Sequence, residues 1–70
     1  MNKRECIEYI YEQLIKAWEE HPAPTDYLKR REVYEHCKDV CKANGYVGEG
    51  FVQLWNRAVD KQARMMNVHP

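Results

Sequence analysis

The side chains best suited to chemistry lie on one predicted helix near the C-terminal end of the chain, at about residues 50–66. Its polar groups recur at spacings of three and four, which places them on one solvent-facing side. These groups are Gln53, Asn56, Arg57, Lys61 and Arg64. Arginine and lysine contact guanine edges or phosphates, and glutamine and asparagine pair with adenine. The face therefore predicts hydrogen bonding to a nucleic acid, although many ordinary solvated helix faces share this composition.

A preceding basic segment would add phosphate contacts, in particular through Lys38 and Lys42. The order of a basic helix, a glycine-containing connection and a polar helix resembles a helix-turn-helix over about residues 27–64, without a specific motif. Two features argue against it. The connection Asn44–Gly50 is longer than the usual turn of about three or four residues. The 11 basic and 11 acidic side chains also cancel, which leaves little electrostatic attraction to phosphates.

Cysteine and histidine side chains raise the question of a metal site. Cys37 and Cys41 are four residues apart on the predicted second helix, and His36 is adjacent to them. Structural zinc usually takes four such ligands, in close pairs on turns. One pair within a helix, with no second pair downstream, indicates small buried side chains instead. We therefore expect no metal and no cofactor. With Cys6, the odd cysteine count is typical of reduced thiols in a cytoplasmic protein.

The common catalytic arrangements are absent from the sequence. It contains no serine, Thr25 is its only threonine, and His21, His36 and His69 are scattered along the chain. Phosphate-binding loops, nucleophile elbows and paired-carboxylate patterns do not occur. A chain of 70 residues also has little room for a pocket of about 300 Å³ or more. We predict a protein that is not an enzyme and has no small-molecule substrate.

Protein binding is the alternative function. Tryptophan, tyrosine, methionine and arginine are enriched in interface cores. The chain has more tryptophan, tyrosine and methionine side chains than a small helical core obviously needs. An acidic face of the first helix is the predicted contact surface. It comprises Glu5, Glu8, Tyr9 and Glu12. Exposure of either Trp18 or Trp55 would favour a protein interface over a nucleic-acid interface.

The distribution of charge also allows a homodimer. Residues 1–26 carry a net charge of −3 and residues 27–70 a net charge of +3. Opposite halves of two copies would attract each other, which is compatible with antiparallel self-association. No apolar run approaches the roughly 18 residues of a membrane span, so we expect no membrane partner.

The first of three helices positions the acidic face. Asn2 followed by Glu5 is the pattern of an N-cap and its reciprocal partner, and predicts a helix at about residues 3–20. The segment His21–Pro24 ends it, because each proline removes a backbone donor and disfavours a helical conformation in the residue before it.

The other two helices position the basic and polar faces. Thr25 or Asp26 is expected to cap the second helix, at about residues 27–43, by a side-chain hydrogen bond. Gly45 then ends it, because glycine readily takes the left-handed conformation found after helices. The third helix occupies about residues 50–66.

Apolar stripes on the three helices predict one core. The stripe of the first helix is Ile7, Ile10, Tyr11, Leu14, Ala17 and Trp18. The stripe of the second is Tyr27, Val33, Tyr34, Cys37, Val40 and Cys41, with the stem of Arg30. The stripe of the third is Phe51, Leu54, Trp55, Ala58, Val59, Gln62 and Met65.

The sequence thus predicts a single all-α domain over residues 1–70, a compact three-helix arrangement with a loose tail at 67–70. Its 44% hydrophobic and 31% charged composition is typical of a folded globular chain. The expected function is that of a small accessory or regulatory binding protein, with helix-turn-helix-like nucleic-acid binding through residues 50–66. The alternative is a protein-binding adaptor or inhibitor.

Overall fold

Three helices and one short 3-10 turn make up the fold in a computed structural model, which describes residues 1–66. Helix α1 spans Lys3–Glu20, α2 spans Tyr27–Ala43 and α3 spans Glu49–Met66, with the 3-10 turn at Pro24–Asp26. The predicted compact all-α three-helix domain is confirmed, and the helix bounds agree with prediction to within one residue. The predicted tail at residues 67–70 lies outside the described residues.

The start of α1 has the predicted reciprocal cap. The Asn2 side chain accepts a hydrogen bond from the Glu5 N–H at 2.8 Å, and the Glu5 carboxylate accepts one from the Asn2 N–H at 3.0 Å. These bonds satisfy two backbone donors that would otherwise be free at the helix end. They also engage the Glu5 carboxylate within its own helix.

The start of α2 differs from the prediction. Asp26 occupies the N-cap position, but neither it nor Thr25 makes a side-chain capping bond there. Asp26 has φ −88° and ψ 12°, whereas a capping residue usually has extended geometry. The chain enters α2 from the 3-10 turn, in which the Asp26 N–H donates to the Ala23 carbonyl at 2.9 Å. The predicted side-chain cap is therefore wrong.

The end of α2 is a Schellman motif built around Gly45. The Tyr46 N–H donates to the Cys41 carbonyl at 2.9 Å, and the Gly45 N–H donates to the Lys42 carbonyl at 3.0 Å. Gly45 has φ +89°, in the region that side-chain-bearing residues avoid. This turn redirects the chain and brings Tyr46 back against the core.

We expect Gly45→Ala to destabilise the protein by about 1–2 kcal/mol, because a side chain disfavours this backbone conformation. No atom lies within 4 Å of the added Cβ, so the loss would come from the backbone alone. Gly50→Ala is the matched control: Gly50 has similar space but lies within α3 without a positive φ, so alanine there should be neutral or stabilising. Urea unfolding measures both, and equal stability of Gly45→Ala and wild type would contradict the prediction.

Helix α1 is the centre of the packing. It contacts both α2 and α3 extensively, whereas α2 and α3 contact each other much less. The buried residues are Cys6, Ile10, Leu14, Ala17, Cys37, Cys41, Phe51, Leu54 and Ala58, together with Gln62. Because α2 and α3 each pack mainly on α1, they leave a groove between them.

Several residues assigned to the core from the sequence are exposed. Trp18 is 44% exposed and Tyr27 is 60% exposed, and Val59 and Met65 are exposed as well. Each belongs to an apolar stripe wider than the surface that a single neighbouring helix can cover. Tyr27 is the first residue of α2 and Met65 is in the last turn of α3, where less chain is available to cover them.

Gln62 is a polar residue inside the core. It is only 7% exposed, and its Nε2 atom has no hydrogen-bond partner among the described residues. A buried donor without a partner costs about 1–3 kcal/mol. We therefore expect Gln62→Leu to raise the free energy of unfolding by about 1–2 kcal/mol, measured in urea. Gln53→Leu, on the exposed side of the same helix, should change it by less than about 0.5 kcal/mol. A lower stability for Gln62→Leu would contradict this account.

Candidate functional site: an aromatic groove between two helices

The groove between α2 and α3 has a volume of about 500 Å³ and a floor provided by α1. Its lining comprises Leu14, Trp18, Arg30, Arg31, Tyr34, Glu35 and Trp55. This volume falls within the range of about 300–1,000 Å³ that is typical of ligand sites. The expectation that so short a chain has little room for such a concavity is therefore wrong, because α2 and α3 contact each other little and leave space between them.

Three aromatic rings fix the deep end of the groove. The Tyr34 ring stands edge-on to the Phe51 ring, with centroids 5.2 Å apart, and edge-on to the Trp55 ring, with centroids 4.9 Å apart. Such T-shaped pairs are favoured by the opposite charge of ring faces and ring edges. Phe51 is almost completely buried, so it anchors the two rings above it. Tyr34 and Trp55 are thus held in place before any partner arrives.

Trp18 is held at one end of the groove by Arg30. The Arg30 guanidinium lies 4.1 Å from the centroid of the Trp18 ring, in a cation–π contact. One nitrogen of that guanidinium also donates to the carbonyls of His21 and Ala23, at 2.7 and 2.8 Å. Arg30 therefore ties the connection before α2 to α1 and covers one face of an otherwise exposed tryptophan.

The α3 side of the groove is apolar. Val52, Trp55 and Val59 follow at spacings of three and four, so they share one side of α3. Val52 and Val59 are exposed, and Trp55 is partly buried against Tyr34. Val52 and Val59 therefore extend the apolar surface of Trp55 along α3 beyond the groove lining.

The α2 side of the groove is on balance basic, because Arg30 and Arg31 line it together with one carboxylate. Arg31 precedes Tyr34 by three residues and Lys38 follows it by four, so all three lie on the same side of α2. Lys42 lies one turn beyond Lys38, and these two lysines line a smaller cleft at the end of α2. In the described part of the chain, no carboxylate lies within ion-pair distance of these three cations. Glu35 is the acidic residue among the groove-lining side chains.

The structure places the predicted nucleic-acid-binding residues in three different surroundings. Gln53, Asn56, Arg57 and Arg64 are exposed on α3. Lys61 instead turns back to α1, where its Nζ lies 2.6 Å from the Glu8 carboxylate and 4.5 Å from the centroid of the Tyr11 ring. Lys38 and Lys42 line their cleft with Tyr46, Val47 and Gly48, apart from the α3 face. The assignment of these residues to nucleic-acid contact stays a prediction.

The predicted acidic face of α1 is largely engaged within the chain. Glu5 caps its own helix and Glu8 pairs with Lys61. The Tyr9 hydroxyl lies 2.6 Å from Nε2 of His36, in a hydrogen bond. Burial raises the pKa of Tyr9, and the neighbouring Cys37 and Cys41 raise it further. Of this face, only the Glu12 carboxylate makes no hydrogen bond or ion pair in the described structure, and its role in protein binding stays a prediction.

The three cysteines are free thiols in the core. Burial raises the pKa of Cys37 to about 12, with a smaller contribution from the charge of Cys41. Burial likewise raises the pKa of Cys41 to about 11, aided by the charge of Cys6 and a hydrogen bond with it. These two thiols are protonated at neutral pH and are therefore poor nucleophiles and poor metal ligands. Among residues 1–66, no cluster of three or more side chains is arranged to hold a metal ion.

Sequence reasoning missed the groove because it placed Trp18, Tyr34 and Trp55 in the core. One signal was available: the apolar side of α3 extends from Leu54 through Trp55 to Val52, which is more than one neighbouring helix can cover.

Comparison of the chain with protein-family models, curated proteins and solved structures found no match in any of the three. Within the described residues, none of the helices combines the length and the apolar character needed to cross a membrane.

Proposed function

We propose that the protein is a non-enzymatic binding module that takes a segment of a partner protein into the groove between α2 and α3. The observation that carries the proposal is the exposed Trp18, clamped by Arg30 beside the Tyr34–Trp55 pair. Tryptophan, tyrosine and arginine are the residues that most often dominate binding energy at protein interfaces. Here all three types line a single concave surface.

The rigidity of the groove supports this proposal. Tyr34 and Trp55 are fixed by edge-on ring contacts, and Arg30 is fixed by two carbonyl groups and by Trp18. Binding to ordered side chains avoids the loss of about 0.5–1.5 kcal/mol that each newly immobilised long side chain would cost. A preformed groove with an apolar floor is therefore suited to receive one or two large apolar side chains of a partner.

The same ring contacts disfavour an alternative use of the groove, the stacking of nucleic-acid bases. Single-stranded binders need free aromatic faces. One face of Trp18 is covered by Arg30, and Tyr34 meets Trp55 edge to face. The zero net charge of the chain adds no general attraction to a phosphate backbone.

The experiment is a selection of random peptides displayed on phage against the wild-type protein, followed by binding measurements on the selected peptides. Trp18→Ala should weaken their binding by about 2 kcal/mol or more, roughly thirtyfold, because the variant removes the large exposed aromatic side chain of the groove. Val47→Ala is the matched control, since Val47 is exposed but lies outside the groove. Circular dichroism checks that both variants are folded. Peptides that bind wild type and Trp18→Ala equally would refute the proposal.

Nucleic-acid binding by α3 is the second candidate, because Gln53, Asn56, Arg57 and Arg64 remain exposed. A duplex titration at about 50 mM and about 200 mM salt tests it. Steep weakening with salt, and further weakening in Arg57→Ala, would support contact through this face. The absence of binding at the lower salt concentration would exclude non-specific duplex affinity.

A further inference from the structure

The two walls of the groove differ in chemical character, and this difference specifies the kind of partner. On the α2 wall, Arg31 lines the groove together with Glu35, and Lys38, which lines the neighbouring cleft at the end of α2, lies about two turns beyond Arg31 on the same side of the helix. Neither Arg31 nor Lys38 has a carboxylate within ion-pair distance in the described structure. On the α3 wall, Trp55 lines the groove, and Val52 and Val59 are exposed on the same side of that helix, so this wall carries no charge. Because basic side chains outnumber the single carboxylate of Glu35 on the α2 wall, an occupant that complements both walls is apolar on one side and negatively charged on the other.

We propose that the occupant is an acidic amphipathic segment of a partner protein. Its apolar side chains would lie against Trp18 and the α3 wall, and its carboxylates would face Arg31 and Lys38. This inference rests on the proposed function, since it requires that the groove binds a protein segment. It adds the charge and the orientation of the bound segment.

A second copy of the chain fits the groove less well. The acidic surface that a copy would offer is the face of α1, but Glu5 is used in the helix cap and Glu8 pairs with Lys61. Tyr9, an aromatic side chain on that face, is hydrogen-bonded to His36. Insertion of this face into another copy would break contacts that stabilise its own fold. A separate partner meets no such cost.

The peptide selection also tests this inference. Peptides that depend on Trp18 are expected to contain more aspartate and glutamate than lysine and arginine. Replacing their carboxylates with amides should weaken binding roughly threefold to tenfold at low salt and less at high salt. Arg31→Glu should weaken binding of the acidic peptides to a similar degree, and Lys29→Glu is the control. Lys29 is an exposed cation on α2 that lines a different pocket, so its reversal should have little effect.

The outcomes separate the two proposals. Selected peptides that depend on Trp18 but are neutral or basic would overturn the acidic partner and leave the groove as a binding site. The absence of any Trp18-dependent peptide would overturn both proposals. Analytical ultracentrifugation of the free protein tests the remaining occupant, a second copy of the chain. A dimer that the Trp18→Ala substitution dissociates would identify the second copy as the partner and overturn this inference.

Discussion

Replacement of Phe51 by alanine is expected to lower the free energy of unfolding by about 3–5 kcal/mol. Phe51 is 1% exposed and is the largest of the fully buried side chains. Small domains have a total stability of about 5–15 kcal/mol, and a chain of 70 residues belongs near the lower end. A large fraction of Phe51→Ala molecules should therefore be unfolded under conditions in which the wild-type protein is folded. Thermal and urea unfolding measure this fraction.

The Phe51 substitution should also disturb the groove. The ring supports Tyr34 at 5.2 Å and Trp55 at 6.1 Å between centroids, so its removal frees both to reorient. Phe51→Leu is the control, because it keeps much of the buried apolar area while removing the ring. We expect Phe51→Leu to remain folded but to show weaker near-ultraviolet circular dichroism from Tyr34 and Trp55. A Phe51→Ala variant within about 1 kcal/mol of wild type would show that the core is centred elsewhere.

A second large effect is expected at alkaline pH. An unfolded cysteine has a pKa of about 8.5, whereas Cys37 and Cys41 have pKa values of about 12 and about 11 in the native protein. Between about pH 9 and pH 11 the unfolded chain therefore binds fewer protons than the native chain. The stabilisation that the two protonated thiols provide is complete below the pKa of an unfolded cysteine. It is lost as the pH rises towards the pKa values of Cys37 and Cys41 in the native protein. Because two thiols contribute, we expect the free energy of unfolding to fall by roughly 2–3 kcal/mol per pH unit in this window.

Urea unfolding at several pH values measures this slope. Tyrosine and lysine side chains also titrate at high pH, so the informative comparison is with Cys37→Ala, which removes one thiol and, among those other groups, perturbs Tyr9, whose pKa the charge of Cys37 raises. The slope attributable to thiols should fall by about half in that variant. An unchanged slope would indicate that other groups cause the alkaline loss of stability, and that the Cys37 thiol titrates alike in the native and unfolded states.

Local features of the fold were predictable because their causes are local. The Asn2–Glu5 cap requires two side chains three residues apart, and Gly45 requires only its own conformational freedom. The three helices follow from apolar residues at spacings of three and four. The start of α2 was less predictable, since the 3-10 turn at Pro24–Asp26 displaced the expected side-chain cap.

Membership of the core was only partly predictable. Periodicity places Trp18 and Ala17 on the same side of α1, but Ala17 is buried and Trp18 is exposed. Which of them is covered depends on where α2 and α3 cross α1, and periodicity does not contain that information. The pairing of Lys61 with Glu8 has the same origin, since the residues are 53 positions apart in the sequence.

The sequence by itself determined the class of fold, the ends of most helices and the absence of the common catalytic motifs. It also predicted that the three thiols are free. These properties depend on residue type and on spacings within one turn of a helix. Only the tertiary structure decided that α2 and α3 each pack mainly on α1. These two helices leave a groove between them, with one wall that is on balance basic and one that is apolar. The groove depends on how three helices share one small core, and that arrangement is set by contacts between residues far apart in the chain.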